Sequence, residues 1–437
     1  MDSSNLIQLH KCGAYPIIEG TGCHQMFFPV ELLETALQNG ESTAWMCDTP
    51  VLSGSGDPYI AITHVWSDGT GMGADNTHTV NACLFQYFAK LGNRLNCNAL
   101  WWDAISVPKE PKARRLALNN MHENYANAEY TIIHDTYLVN FPWSDDGSPC
   151  IAMILSTWFT RGWTALELFM SKKVLVLFKD PAGGCEPLMK DLDDEILAQS
   201  PATSSPAHWL ATTLIRRLRR PIDNVGDLLA ALSTRSTSWV RDRTIISALL
   251  AQVPDCDLAA GESIIATQVL GHLGQIPHNC LFHGKPTMRD SGPWSWCPAT
   301  LHDMPVDTAP DLGDSGDDSL KIKGDGSVEG KWRCRKLDAD DVANMKPYGD
   351  NLAAAMKIES ALGRWEGCLL LRHPRDGQGN LALLVWLTSI NLEAGMLECR
   401  YIGTVVVASS STALREGMVH GFSNPMWSVR IGGKVYN

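Results

Sequence analysis

Tyr59-Ile60-Ala61-Ile62-Thr63-His64-Val65-Trp66 is the stretch whose reading decides the fold: a β-rich apolar run, followed by the turn-forming loop Asp68-Gly69-Thr70-Gly71. Past the loop, Val80, Cys83, Leu84, Tyr87, Phe88 and Leu91 recur at i, i+3, i+4, i+7, i+8 and i+11, the stripe of an amphipathic helix. Ala99–Trp102 reads as a second strand. Ala117, Leu118, Met121, Tyr125 and Ala128 mark the next helix, with Pro111 acceptable in its first turn. Tyr130–Ile133 and Val174–Phe178 read as the third and fourth strands. Strands separated by helices of this length imply βαβ units, hence an α/β fold with a parallel sheet flanked by helices.

Before the fourth strand lies Ser156-Thr157-Trp158-Phe159-Thr160-Arg161-Gly162-Trp163-Thr164-Ala165-Leu166-Glu167. A helix from about Arg161 puts Trp163, Leu166, Glu167 and Met170 on one face. A carboxylate on a core-facing stripe is costly unless it is paired or neutralised. Two readings stand: a structural ion pair, with Arg161 as partner, or a functional carboxylate with a raised pKa.

Trp158 to Glu167 also resembles the R-G-W-T-x-x-E signature of the fungal heterokaryon-incompatibility (HET) domain family. Ala61-Ile62-Thr63-His64-Val65-Trp66 is similar to that family's A-L-S-Y-V-W strand, and Leu100-Trp101-Trp102-Asp103-Ala104-Ile105 to its L-W-I-D-A-I block. Met121-His122-Glu123-Asn124-Tyr125-Ala126-Asn127-Ala128 resembles M-x-x-I-Y-x-x-A. The four blocks keep the family's order over roughly residues 58–180, with weaker echoes at Arg235–Arg243 and Ser295-Trp296-Cys297-Pro298. One departure stands out: where the family has Cys-Ile-x-Gln, this chain has Ser106-Val107-Pro108-Lys109. The resemblance implies a fold distantly like Toll/interleukin-receptor domains and a part in fungal non-self recognition and programmed cell death. It further implies, through Glu167, an NAD-cleaving activity in which that carboxylate stabilises an oxocarbenium-like species.

Composition narrows the classes. The formal charge of −12 argues against a nucleic-acid or anionic-membrane surface, both of which reward clustered Lys and Arg. The one basic cluster, Arg216-Arg217-Leu218-Arg219-Arg220, ends at Pro221 and reads as a solvated helix end. No basic segment followed by an apolar run opens the chain, and runs such as Leu381–Leu387 are too short to span a bilayer, so no membrane insertion is expected. Thirteen cysteines with no C-x-x-C pair suit reduced thiols and a cytoplasmic location.

Five segments are expected: an N-terminal segment 1–57, the HET-like α/β domain 58–180, a helical region with loops 181–306, an acidic flexible loop 307–330 and a β-rich region 331–437. Leu320–Lys323 and Val328–Arg335 around Gly324-Asp325-Gly326 suggest a hairpin across the last boundary.

Ligands of open parallel sheets bind beyond the carboxyl ends of the strands. There the expected strands place His64, Trp66 and Asp68, then Asp103, then His134 and Asp135, with Glu167 on a neighbouring helix. The catalytic candidates are Glu167, His64, Asp103 and His134; the substrate-binding candidates are Trp66, Asp68, Trp102, Asp135, Arg161 and Trp163. Each has a plainer alternative: Asp103 as a helix cap, His64 as a satisfied core histidine, Asp135 as a turn residue. His272, His278, Cys280 and His283 are spaced x5, x1 and x2, which fits no zinc finger, and they read as loop residues rather than a metal site. Gly69-Thr70-Gly71-Met72-Gly73 lacks the Lys-Ser/Thr of a phosphate-binding loop.

On the HET-like scaffold that the resemblance implies, the lack of a nucleotide-switch module, repeat array or assembly motif and the appended β-rich region, which would complete an aromatic-lined pocket, favour one expected function: an enzyme of fungal secondary metabolism, cofactor-independent because no redox or metal motif is recognisable. It would promote cyclisation, isomerisation or cycloaddition of a small apolar organic substrate. Near-attack geometry in a shaped pocket supplies up to roughly 7–11 kcal/mol. The competing expectation is the death-signalling protein that the resemblance implies.

Overall fold

Tyr59–His64 sits inside a six-stranded sheet, five of its six residues buried. The computed structural model describes residues 24–66, 79–184, 186–306, 319–374, 380–407 and 426–433. The chain divides into two compact units, residues 1–220 with 235–238, and residues 221–234 with 239–437.

The first unit runs β1 (Gln25–Phe27), α1 (Val30–Asn39), β2 (Trp45–Met46), β3 (Tyr59–His64), β4 (Thr79–Asn81), α2 (Ala82–Arg94), β5 (Ala99–Trp102), α3 (Asp103–Ser106), α4 (Pro111–Asn119), α5 (Met121–Asn127), β6 (Tyr130–His134), α6 (Thr136–Asn140), α7 (Ser148–Leu155), α8 (Gly162–Met170), β7 (Val174–Phe178), β8 (Leu188–Asp191) and α9 (Pro206–Leu218). Its sheet has the order β2-β5-β3-β6-β7-β8. The four strands read from the sequence pair in parallel. The sheet as a whole is mixed, because β2 and β8 add antiparallel edges. β2 is two residues long and β8 is Leu-Met-Lys-Asp, so neither carries the apolar run that marks the inner strands. β8 and the π-helical turn Leu192–Ile196 also replace helix at the start of the region expected to be helical. Val80 belongs to β4, not to the following helix, and Asn120 divides the expected second helix into α4 and α5.

Side chains alternate across a strand, so β3 divides the first unit's core in two. Ile60 and Ile62 pack with Leu100, Trp102 and the α2 residues Leu84, Phe85 and Phe88. Ala61 packs on the other face with Trp101, Met121 and Tyr125.

The second unit contains α10 (Val225–Leu232), α11 (Val240–Leu250), α12 (Glu262–Leu273), β9 (Gln275–Pro277), β10 (Ser319–Ile322), β11 (Val328–Lys336), α13 (Ala339–Asn344), β12 (Met345–Pro347), α14 (Leu352–Leu362), β13 (Cys368–Arg372), β14 (Leu381–Asn391), β15 (Met396–Val407) and β16 (Met426–Ile431). The acidic-loop expectation for 307–330 is corrected over its second part: Ser319–Ile322 and Val328–Lys336 form the antiparallel hairpin, and 307–318 lie outside the described residues. Gly326 turns that hairpin at φ +80°, and a Cβ there would stand 2.4 Å from Trp294 Nε1. The strands are antiparallel except β15 and β16, which run parallel. Because β16 also pairs with β11, the path β11-β13-β14-β15-β16 closes on itself. Leu370, Leu384 and Ile402 pack with Ile358 and Leu362 of α14. Leu371, Leu383 and Tyr401 are also buried. No helix among the described residues is long and apolar enough to cross a membrane.

Candidate functional site

Thr63 and His64 end β3, and as neighbours in a strand they face opposite ways. Each anchors a polar cluster. On the α8 side, the Thr63 hydroxyl donates a short hydrogen bond to Glu167 Oε2 and accepts one from the Trp158 indole N–H at 2.6 Å. Tyr125 stands beside this pair, its hydroxyl 3.3 Å from the Ile62 carbonyl. Glu167 is 5% exposed. Burial pushes its carboxyl up to about 7, against the opposing hydrogen bond from Thr63, with the Asp103 charge adding to the rise. Burial, and then the charge of Glu167, hold the Tyr125 phenol well above its ordinary range.

Arg161 lies close enough for its charge to act on Glu167, but among the described residues no ion pair joins them. The Arg161 carbonyl instead accepts from Arg235 Nη1 at 2.9 Å and from Thr164 Oγ1 at 2.8 Å. Arg235 is buried, with its guanidinium 4.5 Å from the Phe159 ring. Burial pushes it down to about 9, so it remains charged at neutral pH. Its Nε and Nη2 atoms have no hydrogen-bond partner among the described residues.

On the α2 side, His64 Nε2 lies 2.6 Å from Asp103 Oδ1, and the Trp66 indole N–H donates to Asp103 Oδ2 at 2.9 Å. An ionised carboxylate only accepts, so His64 carries its proton on Nε2. Burial alone would push Asp103 up. The His64 charge and the hydrogen bonds from His64, Trp66 and the Ala104 backbone outweigh it, and hold the carboxyl below its ordinary range. The Asp103 side chain is 20% exposed and Trp66 is 44% exposed, so this cluster opens at the surface.

The remaining candidates have other surroundings. His134 is fully buried, its ring edge-on to Phe88 at 5.3 Å. Trp102 is fully buried between His64 and Phe88. Asp135 Oδ1 caps α6 through Tyr137 and Leu138, and its Oδ2 accepts the Trp158 backbone N–H at 3.1 Å. Trp163 is half-buried against the Trp101–Tyr125 cluster. Asp68 and the Gly69–Gly73 run lie outside the described residues.

Sequence reasoning missed Thr63 as the hydrogen-bond partner of Glu167, and Trp158, Tyr125 and Arg235 as its surroundings. Thr63 had a signal of its own, a hydroxyl inside an apolar strand. Arg235 had none beyond the weak resemblance of its segment, since its contacts reach back 74 residues to Arg161. In the second unit His278 Nε2 meets the Lys331 carbonyl at 3.0 Å and His283 Nε2 the Trp296 carbonyl at 2.9 Å. Among the described residues no His, Cys, Asp and Glu group has the arrangement to hold a metal. Comparison with protein-family models, curated proteins and solved structures finds no match.

Proposed function

We propose that the first unit is a HET-like acid–base catalyst that rearranges a small, largely apolar organic molecule without a redox cofactor. The observation that carries this reading is the separation of two carboxyls: Glu167 is pushed up to about 7 while Asp103 is held below its ordinary range. Carboxyls driven apart by their surroundings can divide acid and base work at one pH. Glu167, protonated in part of the population at neutral pH, donates a proton to a carbonyl or enol oxygen. His64, oriented by Asp103 and close enough at the end of β3 for its charge to act on Glu167 although it faces the other way, takes one from carbon at Nδ1 and is stabilised as imidazolium by that carboxylate. One proton is taken and one returned, so isomerisation or ring closure by this route is redox-neutral.

The four ordered HET-like blocks favour a second reading, a death-signalling protein in which Glu167 assists NAD cleavage. That chemistry calls for an ionised carboxylate against the ribose, and the raised pKa of Glu167 weighs against it.

The test is expression of wild type, Glu167→Gln and His64→Ala in a fungal host, with extracted metabolites and NAD quantified together. Catalysis requires a metabolite change that falls by roughly 10²–10⁴-fold in both variants. Host death with falling NAD, abolished by Glu167→Gln and accompanied by no metabolite change, replaces the first reading with the second.

A further inference from the structure

In the second unit a cavity of about 310 Å³ lies between α14 and the sheet, lined among others by Asp290, Lys357, Arg364, Trp386, Arg400 and Ile402. Lys357 and Arg364 come from α14 and the turn after it, seven residues and two helical turns apart, and Arg400 comes from β15. Three cations thus face one carboxylate, in a chain whose formal charge is −12.

Their charges are not spent on one another's neighbours. Among the described residues none of the three forms an ion pair. Lys357 Nζ donates to the backbone carbonyl of Asp290 at 2.9 Å, which leaves its charge uncancelled. The Nε of Arg400 is buried with no hydrogen-bond partner, and its guanidinium lies 6.0 Å from the centroid of the Trp386 ring. Burial, and then the Arg400 charge, hold the Lys357 ammonium below its ordinary range. Like charges at a partly desolvated site cost stability unless a counter-charge joins them. Arg presents a planar fork suited to an oxyanion, and Lys a point charge beside it. Trp386 and Ile402 add apolar surface, and the volume is at the lower end of the range for small-molecule sites.

We infer that the cavity between α14 and the β14–β15 strands binds a small organic anion, with its carboxylate or phosphate on Lys357 and Arg400 and its flat unsaturated body against Trp386. This site is independent of the acid–base reading of the first unit.

Calorimetric titration of the full chain with benzoate, phenyl phosphate, inorganic phosphate and phenol tests it. One or both aromatic anions bind saturably in the millimolar range or below, phenol does not bind, and inorganic phosphate binds more weakly than phenyl phosphate. Lys357→Met and Arg400→Gln each weaken binding of the aromatic anion at least about tenfold. Removing one of two like charges leaves the melting temperature of the ligand-free protein unchanged or raised, which separates a lost ligand contact from a lost fold. Absence of saturable binding by both aromatic anions overturns the proposal, as does unchanged affinity in both variants. Equal affinity for inorganic phosphate and phenyl phosphate overturns the part assigned to Trp386.

Discussion

Glu167 in the first unit and Asp341 in the second are both buried carboxylates, 5% and 2% exposed, with opposite surroundings. Asp341 is held at both oxygens by Arg335, through Nη2 to Oδ1 at 2.5 Å and a shorter bond from Nη1 to Oδ2, and it completes the capping box that starts α13. Glu167 has the Thr63 hydroxyl against it, and Arg235, whose charge reaches it, spends its hydrogen bonds on the Arg161 carbonyl and on Thr164. A carboxylate clamped by a guanidinium has its charge answered and serves the fold. One left with a hydroxyl in the same degree of burial keeps its proton, and a proton held near neutrality is available for chemistry.

The largest effect expected is on the clamped member of the pair. Asp341→Asn, which leaves Arg335 without its counter-charge, costs roughly 3–5 kcal/mol in denaturant unfolding. A loss below about 1 kcal/mol would place Asp341 with ordinary surface pairs and break the comparison from that side.

Glu167→Gln sharpens the other side through pH. The folded carboxyl titrates near 7 against an ordinary value of 4.5, so the native state holds the proton longer than the unfolded chain does. Its contribution is fully present below the unfolded value and is lost as pH rises through the folded one, in all about 3 kcal/mol. Unfolding measured at acid and at mildly alkaline pH therefore shows Glu167→Gln gaining on wild type by about that amount as pH rises. Parallel stability curves for the two proteins rule out the raised pKa.

Thr63→Val removes the one hydroxyl that joins Trp158 to Glu167. The unsatisfied indole N–H costs about 1–3 kcal/mol. Because the lost hydrogen bond had held Glu167 down, its titration moves to higher pH, which carboxyl NMR reads directly. Trp66→Phe has the smallest effect, under about 1 kcal/mol at this exposed position. It still removes one of the bonds that lower Asp103, and so moves that carboxyl upward in the same NMR titration.

The inner strands were legible because each is a short apolar run between turn signals. The burial of Glu167 was read from a stripe of which Leu166 is buried and Trp163 and Met170 are half-buried, whereas α8 is in fact buried on most sides, through Thr164, Ala165 and Leu168 as well. The edges were not: β8 is polar and β2 too short for any periodicity to register. The gathering of His64, Asp103, His134 and Glu167 at one sheet edge held only in part. Topology brings their strand ends together, but the two-residue period of β3 sends Thr63 and His64 to different faces and divides the cluster. That division was present in the sequence. The identity of Thr63 as the residue under Glu167 required the register of α8 on the sheet, a tertiary fact with no local signal.

The pairing of β16 with both β11 and β15 bears on how the second unit is made during synthesis. Val328 meets Ile431, so the ring of strands waits for more than a hundred residues of chain between its first and last members. Until β16 emerges from the ribosome, β11 lacks the partner that spans Val328–Arg333, and β15 lacks its parallel neighbour over Met396–Cys399. Open edges of this kind template pairing with other chains. A product ending after Val407 therefore leaves both edges open, and pairing of the six-residue strand β16 covers them.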